Sequence, residues 1–97
     1  MAWTSGGSLS TARYGLGGAG VYNAAISVSG YTGANTVVTE EYNGTSWSAG
    51  GDVGTARRYG GACGTLSAGL FVGGYATTYV NTTEEYDGTS WSAGGNL

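Results

Sequence analysis

Two acidic doublets are the residues of this sequence whose type and spacing most suggest chemistry. Glu40-Glu41 and Glu84-Glu85 stand in nearly identical surroundings, EEYNGTSW at Glu40–Trp47 and EEYDGTSW at Glu84–Trp91. Two carboxylates that converge can divide the work of a general acid and a general base. Neighbouring side chains on a strand, however, point to opposite faces. Glu40 would share a face with Val38 and Tyr42, and Glu84 with Thr82 and Tyr86. The expectation is therefore structural: an ion pair or hydrogen bond from Glu40 and Glu84 to Arg13 and Arg57, at a junction between repeats.

The remaining candidates for chemistry are few. The chain has no His, so neither a Ser/His/Asp nor a Cys/His arrangement exists. Cys63 is the single cysteine; it has no activating neighbour and reads as a small buried hydrophobe. GLGGAG at Gly15–Gly20 has the look of a phosphate loop, but neither a helical pattern nor GK[ST] follows it. Close packing of an inner strand explains those glycines better. No spaced acidic loop offers a calcium site. No catalytic residue, metal or cofactor is expected, and the chain reads as a non-enzyme.

Composition narrows the class. The 97 residues include 21 Gly, no Pro, three basic and six acidic side chains, and eight Tyr. Disordered chains of such polarity carry high net charge and few aromatics; this one reads as an ordered all-β protein. A net charge of −3 argues against nucleic acid as partner, since phosphate neutralisation needs a basic patch. MAWTSGGSLS has neither the basic start nor the apolar core of a signal peptide. No apolar run approaches the ~20 residues of a membrane span, so no membrane partner is expected.

The elements that must position any site come from a repeat. Trp3, Trp47 and Trp91 are spaced 44 residues apart, and the whole sequence registers on itself at that shift without a gap. A period in the forties points to stacked or radially arranged units. Within one period, Asn43-Gly44 or Asp87-Gly88 predicts a two-residue type I′ hairpin, pairing Val37–Tyr42 with Thr45–Ala49 and Asn81–Tyr86 with Thr89–Ala93. Ala24–Gly30 and Ala68–Gly74 read as buried strands ending in glycine. Arg13–Gly20 and Arg57–Gly64 suit a crowded inner strand. Four short strands per period is the unit of a β-propeller blade.

At these residues the sequence resembles the Kelch repeat. That family has an Arg near the first strand, Gly-Gly closing the second, Glu-x-Tyr-Asp in the third and Trp in the fourth. Here those are Arg57, Gly73-Gly74, Glu84-Glu85-Tyr86-Asp87 and Trp91; the first period offers Arg13, Glu40-Glu41-Tyr42-Asn43 and Trp47, with Ser29-Gly30 in place of the double glycine. The Tyr-to-Trp spacing is tighter than in most Kelch repeats. The resemblance implies four-stranded antiparallel blades over residues 10–53 and 54–97, with residues 1–9 an extra copy of the outer-strand segment. It assigns structural roles to Arg13, Arg57, Glu40, Glu84, Tyr42, Tyr86, Trp47, Trp91, Gly44 and Gly88. Copper-dependent Kelch-like enzymes hold their metal with histidines, which this chain lacks. DGTSW differs in spacing from the Asp-box of sialidase-type propellers.

Two blades alone leave two flanks open. The second strands read as apolar on both sides, with Ile26 and Val28, and likewise Leu70 and Val72, pointing one way and Phe71 opposed. Soluble monomers rarely expose such patches, and repeat units generally need three or more copies. The expectation is a ring closed by several identical chains. Kelch-like rings of about six blades imply a homotrimer; a dimer and a tetramer are the alternatives. The Trp91 copy is the expected outer strand of the second blade, because closing its short loop costs least.

The two periods differ most at Tyr31–Thr36 against Tyr75–Val80, at Tyr14/Gly15 against Arg58/Tyr59, and at Val21–Asn23 against Thr65–Ser67. In Kelch propellers the loops between the second and third strands lie on a face used for partners. The resemblance places Tyr31, Asn35, Tyr75, Thr78 and Tyr79 there as ligand-binding residues. Tyr beside Ser, Asn and Gly suits recognition loops, because Tyr gives rigid amphipathic contact. Three functions stay open: a module for protein binding or scaffolding, a carbohydrate-binding propeller, and an excised or engineered segment of a larger propeller.

Overall fold

The computed structural model describes residues 5–97. Eight strands follow in chain order: β1 Gly17–Val21, β2 Ala24–Val28, β3 Thr39–Tyr42, β4 Trp47–Ala49, β5 Gly61–Thr65, β6 Ala68–Val72, β7 Thr83–Tyr86 and β8 Trp91–Ala93. They form two four-stranded antiparallel sheets, ordered β1-β2-β3-β4 and β5-β6-β7-β8, with no helix among the described residues. Every strand thus pairs with its sequence neighbour, and the sheets repeat the 44-residue period.

The strands are shorter than the sequence suggests, and the hairpins are wider. Tyr42 pairs with Trp47 and Tyr86 with Trp91, leaving four residues in each loop rather than two. Gly44 and Gly88 have φ near +100° (100° and 98°), but Asn43 and Asp87 are not left-handed, so the turn is not type I′. The reason is the Asx side chain. Asn43 Oδ1 accepts from the amides of Thr45 and Ser46, and Asp87 Oδ1 from those of Thr89 and Ser90, all at 2.8–2.9 Å. A side chain that replaces a turn of backbone lets the loop widen. These bonds, Ser90 first and then Thr89, hold the Asp87 carboxyl below the usual aspartate range.

The two sheets stack face to face. The side of the first sheet that carries Ile26, Val28, Thr39 and Glu41 meets the side of the second that carries Gly69, Phe71, Tyr86 and Trp91. Val28, Val53 and Phe71 are the buried core, with Val37, Ala62 and Trp91 packed against it. Gly17 allows the close approach of the inner strands: a Cβ there would meet Ala62, Phe71 and Val28 at 3.0–3.1 Å. Trp91 Nε1 donates to Thr39 Oγ1 at 2.9 Å, and the Tyr86 hydroxyl donates to Glu41.

Two expectations are corrected here. The outer flank of the first sheet is not apolar: Ser27 holds the place that Phe71 holds in the second, and it is buried beneath the Arg13 guanidinium that donates to it. The outer flank of the second sheet carries the aliphatic Leu70 and Val72, whereas that of the first mixes Ala25, Tyr42 and Trp47 with Ser27 and Glu40. Cys63 is exposed, not buried. It pairs across from Leu70 and shares that open face, so its burial depends on a neighbour and not on its residue type.

The Trp91 segment supplies the outer strand of the second sheet. Trp3 lies outside the described residues. Ser5–Leu9 form no strand and run along the first sheet, where Trp47 Nε1 donates to the Gly7 carbonyl at 3.0 Å.

Candidate binding face

The two arginines that begin the repeats are consumed internally. Arg57, 0% exposed, donates to Glu84 at 3.0 Å, to Thr82 Oγ1 at 3.2 Å and to the Phe71 carbonyl at 3.3 Å, with its guanidinium 4.3 Å from the Phe71 ring centre. Arg13 makes the corresponding pair with Glu40 at 3.4 Å and donates to the Val38 carbonyl and Ser27. Burial lowers the Arg13 pKa, opposed by the Glu40 charge. Both pairs lie within one sheet, not across the junction. Because Glu40 and Glu41 face opposite ways, Glu40 serves its own sheet and Glu41 reaches the next. Neither doublet forms a converging acid–base pair.

Arg58 is different. Among the described residues it is the arginine with no carboxylate within 4.0 Å; a buried Nε without a hydrogen-bond partner is common to all three arginines. Its guanidinium lies 4.6 Å from the ring centre of Tyr31, 5.3 Å from that of Tyr75 and 5.6 Å from that of Tyr59. Cation–π attraction of this kind is worth roughly 0.5–2 kcal/mol. Tyr14 extends the group, 5.2 Å from Tyr31 and 6.5 Å from Tyr59 between ring centres, and Tyr79 stands edge-on to Tyr75 at 5.3 Å.

Short bridges hold these rings at one end of the sheets. Tyr14 pairs with Tyr31 and Arg58 with Tyr75, while Tyr31 closes on Asn35 and Tyr75 on Tyr79. Asn35 ties the two loops together: its amide donates to the Ala76 carbonyl at 3.1 Å and the Tyr75 carbonyl at 3.4 Å, leaving its buried Oδ1 free. Ser29 adds a second tie. It has φ 60°, close to the 64° of its counterpart Gly73, and its hydroxyl bonds the backbone of Arg57 on both sides, donating to the carbonyl and accepting from the amide. A serine takes glycine's conformation here because it joins the two sheets.

Of the five ligand-binding candidates, Tyr31, Asn35 and Tyr75 are half-buried in this cluster, Thr78 is exposed at the loop tip, and Tyr79 is 88% exposed. Arg58, Tyr14 and Tyr59 were not among those candidates, although their positions are where the repeats diverge. Tyr59 is the unusual one. It is 64% exposed yet has φ 63°, where the first repeat has Gly15 at 66°. A left-handed conformation costs a non-glycine residue roughly 1–2 kcal/mol. Beside the cluster, a depression of about 500 Å³ is lined by Ala12, Arg13, Tyr14, Tyr31, Thr32 and Gly33.

No group of His, Cys, Asp and Glu among the described residues is arranged to hold a metal ion. Among the described residues no helix is long and apolar enough to cross a membrane. No protein-family model matches the sequence and no curated protein matches it, so a reading of function rests on the residues themselves.

Proposed function

We propose that this chain is a non-enzymatic binding module made of Kelch-like propeller blades, which identical copies close into a ring. Three copies give a ring of about six blades, within the usual propeller range; two or four are the alternatives. The sequential four-stranded sheets, their face-to-face stacking and the Arg–Glu pair repeated in each support blades. The ring gathers the tyrosine ends of all its blades on one side.

The observation that carries a binding role is Tyr59. A bulky residue stands in a glycine conformation with most of its surface exposed and its ring held beside Arg58 and over Gly15. Strain of this kind is characteristic of sites kept for function. Tyr59 stands beside Arg58, the cation without a carboxylate, and Tyr31 and Tyr75 complete a surface of rigid rings around one positive charge. Such a surface recognises a ligand by flat apolar contact with a polar or anionic edge.

A lectin-like role is the second reading. Half-buried tyrosines flanked by Asn35 and Thr78 suit the apolar face and hydroxyl edge of a sugar ring. A glycan array separates the two. Sugar binding that disappears in Tyr75→Ala and Tyr59→Gly establishes the lectin. Repeated negatives on folded protein favour a protein ligand or a scaffold.

A further inference from the structure

The contact between the two sheets of one chain is written a second time on the outer surfaces. The first sheet presents Ala19, Ile26, Val28, Thr39 and Glu41 to its neighbour, and 44 residues on the second sheet presents Cys63, Leu70, Val72, Thr83 and Glu85 on its open side. The receiving groups also recur. Tyr86 and Trp91 of the second sheet correspond to Tyr42 and Trp47, which share the outer face of the first sheet, their rings 4.9 Å apart against 4.8 Å for the inner pair.

We infer that the open face of the second sheet is the docking surface for the outer face of the first sheet in a second copy of this chain. Tyr42 of one copy donates to Glu85 of the next, and Trp47 Nε1 to Thr83 Oγ1, as Tyr86 and Trp91 do to Glu41 and Thr39 within the chain. The two surfaces are different, so the contact is head-to-tail, and such contacts propagate to a ring when the rotation closes. The inference rests on the proposed ring and specifies its seam.

Side-chain sizes fit this pairing, with one weak point. Ile26 packs against Gly69, where a Cβ would come within 3.0 Å of its Cδ1. At the seam Leu70 meets Ala25, the counterpart of Gly69, and fills a similar space with the branch moved along the side chain. Against Val72, however, stands Ser27 in place of Phe71, so the seam lacks a phenyl ring that the inner contact has. It is the looser of the two junctions. Trp47 must also exchange its bond to Gly7 for Thr83. Gly6–Leu9 and Gly94–Leu97 both correspond to Gly50–Val53 in the repeat. They compete for one place at the seam, and one of them moves aside.

Cys63 reports on this surface, since it shares the face with Leu70 and is exposed in the single chain. The test combines native mass, alkylation of Cys63, and two variants, Leu70→Lys on the open face of the second sheet and Ala25→Lys on the outer face of the first. Near-UV circular dichroism checks that each is folded, with Glu85→Arg, at an exposed position, replacing Leu70→Lys if that variant unfolds. The expected result is a wild-type oligomer whose Cys63 loses reactivity on assembly, two variants each of single-chain mass, and a one-to-one pair on mixing. A wild-type monomer overturns the ring itself. An oligomer with Cys63 still reactive keeps the ring reading but overturns this seam. So does an Ala25→Lys variant that still dimerises alone, because that contact joins two copies of the same face.

Discussion

Tyr86 donates its phenolic proton to Glu41, 45 residues earlier and in the other sheet. The bond explains the doubled glutamate: one carboxylate neutralises the arginine of its own sheet, and its neighbour on the opposite face fastens the next. Burial foremost, with the Glu41 bond and charge adding to it and a Gly51 amide opposing, pushes the Tyr86 hydroxyl from the ordinary 10.0 up to about 12.

A raised folded-state pKa means that the stabilisation from Tyr86 is complete below the unfolded value near 10 and is lost as pH rises toward 12. Spectrophotometric titration at 295 nm should show Tyr86 ionising late, together with alkaline unfolding. Tyr86→Phe removes that late step. At neutral pH it should lower stability by about 1.5–3 kcal/mol, the range for a hydrogen bond to a charged group, measured by urea unfolding.

Arg57→Ala leaves Glu84 buried without its partner and strips the cation from the Phe71 ring. Breaking a buried pair in this way costs about 3–5 kcal/mol, a large share of a small domain's stability. Arg13→Ala, whose pair is longer at 3.4 Å, should cost less. Equal urea midpoints for the two variants would contradict the reading that the shorter ion pair is the stronger.

Ser29 tests whether a left-handed serine is retained for its bonds. Ser29→Ala keeps the strain and loses the tie to Arg57, so it should destabilise by about 1–3 kcal/mol, the cost of leaving a buried backbone group unpaired. Ser29→Gly loses the same tie but relieves roughly 1–2 kcal/mol of strain. The glycine variant should therefore melt above the alanine variant.

Much of this architecture is legible in the sequence, and the reason is the repeat. Asn-Gly and Asp-Gly mark the hairpins, alternation of Ile26 with Val28 marks a strand with a buried face, and the gap-free period makes the second sheet a copy of the first. The turn type escaped because Asn and Asp can close a wider loop with their own side chains. Cys63 escaped because exposure on a sheet face is set by what lies opposite. The candidate binding face was legible only in part. Tyr31 and Tyr75 follow from the loop positions, but nothing in residue type announces that Tyr59 adopts a glycine's backbone; the divergence of Tyr14/Gly15 from Arg58/Tyr59 was the available signal.

Tyr59→Gly separates stability from function. The substitution relieves left-handed strain at an exposed site, so the thermal midpoint should rise, with a gain of about 1 kcal/mol. Ligand binding at the tyrosine face should fall at the same time. A variant that is destabilised instead would show that Tyr59 is held there for packing.

The central claim is that these sheets complete themselves only with further copies of the chain. Light scattering at micromolar concentration measures this directly. A mass three times the 9.7 kDa of one chain is the predicted result; two or four times the single-chain mass is what the alternative rings require. A mass of one chain at the same concentration would contradict it.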